Sequence, residues 1–157
     1  MDIAETVKVF SAALAPIVAI GAAVIAFLNV RTAKHKIKID LFEKRMKIFE
    51  KLNELVDSIF SEREDYDYDE WSEYSAYINI IKEAKWLFDE KTIKWIDDNL
   101  GIAIREYEVT RGGFVNASTP EAVNKIQITL HEWRKKIIRS QHYMPDVFTP
   151  HLQLHKL

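Results

Sequence analysis

The most prominent pattern in the chain is one long apolar run near its start. Val9–Val30 contains no charged side chain, and only Ser11 and Asn29 in it are polar. At about 1.5 Å per residue, a helix of this length measures about 33 Å and can cross a hydrocarbon core of about 30 Å. A helix in the core of a soluble protein would normally carry a polar stripe. The run therefore predicts a transmembrane helix over residues 9–30.

A cleaved signal peptide is the alternative explanation for this run. Such a peptide begins with a basic segment and ends at a site made of small residues. Here the chain begins with the acidic Asp2 and Glu5, and the run leads into Arg31-Thr32-Ala33-Lys34. Because Arg31 is too large for the position three residues before a cleavage point at Ala33, we expect the segment to be retained.

The charges that flank the run predict its orientation. Lys8 is the only Lys or Arg before it, whereas four basic residues follow it: Arg31, Lys34, Lys36 and Lys38. By the positive-inside rule, residues 31–157 are cytoplasmic and residues 1–8 form a short external tail. The same four cations can attract anionic lipid head groups, at about 1 kcal/mol each.

Small residues recur every fourth position in the predicted span, at Ser11, Ala15, Ala19 and Ala23. A smooth face of this kind lets two helices approach closely in lipid and predicts self-association. The alternative is that alanine is simply common in membrane helices. Pro16 is expected to bend or loosen the helix.

After the apolar run, four stretches carry apolar residues at spacings of three and four, which is typical of amphipathic helices. The first continues the transmembrane helix, since neither Pro nor Gly occurs between Arg31 and Phe60. Residues 61–70 form an acidic linker, and residues 144–157 are predicted to be an extended tail. The four stripes are Ile37, Leu41, Ile48, Leu52, Leu55 and Ile59; Trp71, Tyr74, Ile78, Ile81 and Phe88; Ile93, Ile96, Leu100, Ala103 and Tyr107; and Val123, Ile126, Leu130, Trp133 and Ile137.

Local signals mark several helix ends. Asp89 can cap the third helix, Gly101 interrupts it, and Gly112-Gly113 ends it. Ser118-Thr119-Pro120-Glu121 has the pattern of a capped start with proline in the first turn. The predicted fold is all-α: one N-terminal transmembrane helix that continues into a cytosolic bundle of about four helices, residues 31–157.

Composition excludes some classes of function. The 157 residues carry a formal net charge of -2 and no cysteine. A nucleic-acid polymer is therefore not an expected partner, since its binders usually carry a basic excess. Without cysteine the chain has neither a disulfide framework nor a thiolate metal site.

Two patterns resemble metal sites without completing them. Asp65, Asp67 and Asp69 alternate as in a calcium loop, but Glu70 stands where such a loop needs glycine. His151 and His155 are four residues apart, yet the chain ends at Leu157 and no third ligand is near. We expect no metal, no cofactor and no catalytic residue.

One basic run is a candidate binding site: Arg134, Lys135, Lys136 and Arg139. It is explained either by favourable charge near the end of a helix or by a site for an anionic ligand such as a nucleotide. Trp86 and Trp95 lie off the stripes and can widen the core, meet a partner or touch the membrane interface.

Three stretches resemble a set of uncharacterised bacterial membrane-anchored proteins. In that set a spanning helix is followed by a K-x-K/R-L-x-L-F-x-x-R segment, which is similar to Lys36–Arg45 here. Trp86-Leu87-Phe88-Asp89 and Phe148-Thr149-Pro150-His151-Leu152 are also similar, although the family usually has Tyr where His151 stands. The resemblance implies a protein of the bacterial inner membrane and implies no activity.

These patterns favour a membrane-anchored, non-enzymatic helical module that binds a second copy of itself or a protein partner at the inner face of the membrane. The alternative is a membrane-perturbing effector, of the antiphage-defence type, whose cytosolic domain senses an anionic ligand such as a nucleotide signal. An enzyme is the third hypothesis, since carboxylates from separate helices can meet in the fold.

Overall fold

The computed structural model describes residues 3–61 and 72–153, with side chains described for Pro16 and from Val18 onward. The chain divides into two compact units, Met1–Asp40 and Leu41–Leu157, which we call the N-terminal and C-terminal units. Helix α1, Ile3–Phe60, begins in the first and ends in the second. The predicted acidic linker at residues 61–70 lies, apart from Ser61, outside the described residues.

The N-terminal unit is helical over its described residues, and its stretch from Val18 to Leu28 contains no polar side chain. Its large apolar side chains between Val18 and Val30 are 52–69% exposed. Among the residues whose side chains are described, no helix meets the length and hydropathy needed to cross a membrane. The side chains of Ser11 and Ala15 lie outside the description, whereas Ala19 and Ala23 are exposed.

The basic segment after the apolar run is largely exposed. Arg31, Lys34 and Lys36 are exposed and Lys38 is half-buried. The structural division falls after Asp40, ten residues beyond the start expected for the cytosolic domain. Ile37, in the N-terminal unit, is exposed, whereas Leu41, the first residue of the C-terminal unit, is half-buried.

The C-terminal unit is built from helices throughout its described residues. The α-helices after α1 are α2, Ser72–Ala84; α3, Glu90–Ile96; α4, Ile102–Gly112; and α5, Pro120–Phe148. A π-helical turn, Asp97–Gly101, joins α3 to α4, and short 3-10 turns occupy Gly113–Asn116 and Thr149–His151. The all-helical bundle expected from the stripes is therefore confirmed for the described residues.

Two stripes coincide with the core. From α1 the residues Ile48, Leu52, Leu55 and Ile59 are buried, together with Val56. Every residue of the third stripe is buried: Ile93, Ile96, Leu100, Ala103 and Tyr107. On α5 only Ile137 of the predicted stripe is buried, and its other members are half-buried.

The buried face of α2 overlaps the predicted stripe only in part: Ile81 is buried as expected, and Trp71 lies outside the described residues. Tyr74 and Ile78 are only half-buried, and the buried residues are Tyr77, Ile80, Ile81 and Ala84. Phe88 is buried but lies beyond the end of α2, so it does not share the register of the helix. The face is set by Tyr77, whose hydroxyl donates a hydrogen bond of 2.6 Å to Asp97 in the π-helical turn.

The ends of α3 and α5 follow their sequence signals. Asp89 caps α3, since its side chain accepts the Thr92 N–H at 2.7 Å. Thr119 caps α5 by accepting the Ala122 N–H at 3.2 Å, and Pro120 occupies the first turn.

The extended tail predicted from residue 144 is instead helical for its first part. Helix α5 continues through Pro145 to Phe148. Because Met144 and Phe148 are four residues apart and both fully buried, core packing holds this turn despite the missing proline N–H. Residues 154–157, including His155, lie outside the described residues.

Candidate functional site

Three polar clusters in the C-terminal unit bear on function. We call them the clasp (Arg45, Leu87, Asp89, Thr92 and His151), the groove between the π-helical turn and α5, and the carboxylate pair (Glu73 and Glu108). They draw side chains or backbone groups from each helix of the unit.

Arg45 of α1 is the centre of the clasp. Its Nε donates to the Leu87 carbonyl at 2.8 Å, and its Nη1 donates to the His151 carbonyl at 3.0 Å. The guanidinium also lies 5.8 Å from the centre of the Phe88 ring. One planar, forked side chain thus ties the turn after α2 and the C-terminal 3-10 turn to α1.

The His151 side chain closes the clasp from the other side. Its Nε2 lies 2.9 Å from the Thr92 hydroxyl and 3.6 Å from an oxygen of Asp89. Burial lowers the pKa of Arg45, an effect that the charge of Asp89 opposes. The hydrogen bonds from Thr92 lower the pKa of Asp89. His151 is therefore engaged in contacts between helices, and its predicted companion His155 lies outside the described residues.

The clasp brings together the three stretches on which the resemblance was noted. Arg45 ends the first, Leu87, Phe88 and Asp89 belong to the second, and His151 to the third. The Phe88 ring packs edge-on against Phe148 at 4.9 Å. These motifs therefore have a common structural explanation, the fastening of the C-terminal turn, which spacing along the chain does not disclose.

The four residues of the predicted anion site do not converge. Arg134 is directed to the Tyr107 hydroxyl at 3.3 Å, and Lys135 forms an ion pair with Glu132 at 3.2 Å. Lys136 and Arg139 do line a common groove, with a volume of about 520 Å³. Lys136 also lies 3.9 Å from the centre of the Trp133 ring.

The groove has mixed charge. Besides the two cations it is lined by Asp98 of the π-helical turn and Asp146 of α5, with Trp95 and Tyr143 as aromatic walls. Its electrostatics therefore suit a polar or zwitterionic group better than a strongly anionic one. Trp95 is half-buried there, whereas Trp86 is 90% exposed on the turn after α2.

The carboxylate pair is the most unusual electrostatic feature of the fold. Glu108 of α4 is only 1% exposed, and its Oε1 accepts the Tyr74 N–H at 2.9 Å. Glu73 of α2 accepts two hydrogen bonds from Arg111, at 3.2 and 3.0 Å. Sequence reasoning missed this pair because neither residue belongs to a motif and they lie on different helices.

The pKa values of the two carboxyls are shifted in opposite directions. Burial raises the pKa of Glu108 to about 7, and the hydrogen bond shared with Glu73 acts in the same sense. Burial would also raise the pKa of Glu73, but hydrogen bonds from Glu108, Ser72 and Arg111 outweigh it and lower that pKa. Opposite shifts of this kind arise when two neighbouring carboxyls hold a single proton.

The pair can hold a proton at Glu108, which is buried, whereas the Glu73 side chain is 19% exposed. Acid–base catalysis requires a carboxyl within hydrogen-bonding reach of a substrate, and Glu108 is buried between α2 and α4. Within the described residues, no three His, Asp or Glu side chains are grouped so as to hold a metal ion.

Comparisons with known proteins return no similar protein. No family model matches the chain, and searches of curated proteins and of solved structures find no match.

Proposed function

We propose that this protein is a membrane-anchored helical interaction module, held in a bacterial inner membrane by residues 9–30 with its C-terminal unit in the cytoplasm. It binds a second copy of itself or a protein partner and catalyses no reaction. The carrying observation is the exposure of the apolar side chains from Val18 to Val30. Water solvates such a surface poorly, whereas lipid covers it without leaving polar groups unsatisfied.

The rest of α1 supports this proposal by contrast. From Ile48 onward the helix buries one face in the core and exposes charged residues on the others. Between Val18 and Val30 its large apolar residues are exposed and a single polar residue, Asn29, occurs among them. One helix therefore carries two surface types, the first suited to lipid and the second to a water-soluble core.

The absence of cysteine makes the topology easy to test. Asp2→Cys and Glu132→Cys each introduce a single thiol, the second at a side chain that is 60% exposed. An impermeant maleimide should label the first in intact spheroplasts and the second only after permeabilisation. Labelling in the reverse order would contradict the topology, and release of the chain by alkaline carbonate would contradict the anchor.

Self-association is proposed to use the small-residue face. Ala19→Leu with Ala23→Leu should disrupt the oligomer, because larger side chains keep the helix backbones apart. Gly21→Leu is the matched control: it also enlarges a small residue, lies on nearly the opposite side of the helix and meets no atom within 4 Å. Cross-linking of the full chain in detergent should show dimers for the control alone. Equal cross-linking of both variants would refute this face.

The sensing effector remains a second candidate because Lys136 and Arg139 line the groove. The carboxylates of Asp98 and Asp146 in the same groove count against a highly charged anion. Calorimetric titration with a cyclic dinucleotide tests it: binding that is lost in Arg139→Gln but kept in Lys135→Gln would favour the effector. If the titration of the full chain gives no heat of binding, the sensing effector is ruled out.

A further inference from the structure

We propose that Glu73 and Glu108 form a proton-binding site that fastens α2 to α4, so that the attachment is tight when the pair holds one proton and loosens when that proton is lost. The ligand is the proton itself, and the site is independent of the membrane proposal. It rests on how the two helices meet.

The geometry supplies the first argument. The Oε1 of Glu108 accepts the Tyr74 N–H at 2.9 Å, and this N–H belongs to the first turn of α2, where helix N–H groups lack partners within the helix. The Oε2 of Glu108 is also buried and accepts no hydrogen bond from the described residues. When Glu108 is protonated, its carboxyl is neutral and Oε2 no longer requires a hydrogen-bond donor.

The neighbouring carboxylate supplies the second argument. The N–H of Tyr74, the residue after Glu73, binds Glu108, so the two carboxyls are neighbours; two ionised carboxylates cannot hydrogen-bond to each other because neither has a hydrogen to donate. With Glu108 protonated, its hydroxyl donates to Glu73, which remains ionised and bound to Arg111.

The cation nearest the pair, Arg111, is already bound to Glu73. Arg111 faces the pair from α4 and is engaged by both oxygens of Glu73. Arg134 of α5 donates to the hydroxyl of Tyr107, and the guanidinium groups of Arg134 and Arg111 lie 5.7 and 5.9 Å from the centre of the Tyr107 ring. Ionisation of Glu108 therefore places a second buried negative charge beside Glu73, and the backbone N–H groups of Glu73 and Tyr74 together with Arg111 offset it only in part.

The direction of the pH effect follows from burial. The pKa of Glu108 rises in the folded chain to about 7, from an ordinary value near 4.5. Its contribution to stability is therefore full below the unfolded value and is lost as pH rises through about 7. Between these two values unfolding releases about one proton, so the unfolding equilibrium constant should rise up to about tenfold per pH unit.

The test compares Glu108→Gln with the unmodified full chain in detergent micelles. The Gln amide keeps both hydrogen bonds of the protonated acid, so the variant should fold and should lack the tenfold dependence per unit between pH 5 and 7. Glu106→Gln, on the same helix but paired with the exposed Arg105, should keep it. An unchanged pH dependence in Glu108→Gln would overturn the proposal.

A measurement on the unmodified chain covers the case in which the variant does not fold. With 13C-labelled glutamate carboxyls, one resonance should titrate near neutral pH. The hydrogen-exchange rate of the Tyr74 amide, corrected for the intrinsic pH dependence of exchange, should rise over the same interval. If every glutamate titrates below pH 5.5, there is no shared proton. If one titrates near neutral pH while the Tyr74 amide stays equally protected, the proton does not fasten α2.

Discussion

At the scale of single residues, the packing of the C-terminal unit depends on positions that accept only one residue type. Gly101 lies against the Tyr77 ring, and a Cβ there would be 2.7 Å from the ring carbon Cζ, with the hydroxyl closer still. Tyr77 cannot move aside easily, because it is buried and donates to Asp97. Burial and that hydrogen bond also raise the pKa of the Tyr77 hydroxyl above its ordinary range.

We therefore expect Gly101→Ala to destabilise the fold. The overpacking cost of about 1–3 kcal/mol exceeds the gain of about 1 kcal/mol in helix propensity. Gly113→Ala is the matched control, since its Cβ would make an ordinary contact of 3.5 Å with Ile126. Thermal unfolding by circular dichroism should show a lower midpoint for Gly101→Ala alone. Equal midpoints would mean that Tyr77 yields at little cost.

Arg45 is the second residue on which distant segments depend. Arg45→Met keeps most of the apolar stem but leaves the carbonyls of Leu87 and His151 without their donor, at a cost of about 2–3 kcal/mol. Lys44→Met removes a neighbouring exposed charge and should change stability by less than about 0.5 kcal/mol. Denaturant unfolding measures both. A similar change in the free energy of unfolding for both variants would contradict the role of the clasp.

At the scale of elements, the termini of α3 and α5 are set by local chemistry and their interiors by packing. Asp89 and Thr119 cap their helices through side-chain oxygens, as the sequence signals indicate. The π-helical turn ends at Gly101, where the sequence predicts an interruption, whereas the passage of α5 through Pro145 has no local signal. Both features are held by packing. Leu100 and Gly101 are buried within the π-helical turn, and Met144 and Phe148 are buried on either side of Pro145.

Thr119→Ala should therefore cost about 1 kcal/mol, by removing the acceptor for the Ala122 N–H. Ser118→Ala is the natural control, because the Ser118 hydroxyl makes no hydrogen bond to any described residue. Hydrogen exchange should show faster opening of the first turn of α5 in Thr119→Ala only. Equal opening in both variants would shift the capping role to another residue.

At the scale of the whole molecule, the division after Asp40 separates two kinds of surface. Each buried apolar residue in the described part of the chain lies between Ile48 and Phe148. The N-terminal unit contributes none. The C-terminal unit thus holds a hydrophobic core of its own, as an independently folding domain requires.

Residues 41–157 should fold alone, with the same unfolding midpoint as residues 31–157. The ten additional residues are exposed apart from Lys38, so they add no burial that stabilises the fold. Parallel thermal melts of the two fragments test this. A midpoint lower by several degrees in the shorter fragment would show that residues 31–40 support the core.

The sequence alone determined those features that depend on neighbours in the chain: the all-helical class, the capped starts of α3 and α5, and the buried face of the third stripe. Helix periodicity and capping act over a few residues, so they can be recognised locally. The two parts of the N-terminal prediction that concern lipid and self-association stay predictions for the experiments above.

Only the tertiary structure decided which face of α2 is buried and which polar groups meet. Arg45 and His151 are 106 residues apart, and Tyr74 and Glu108 are 34 apart. No local propensity encodes such pairs, because they form only when several helices compete for the same core. The four cations of the basic run on α5 stay apart for a different, local reason: their side chains point to different sides of one helix.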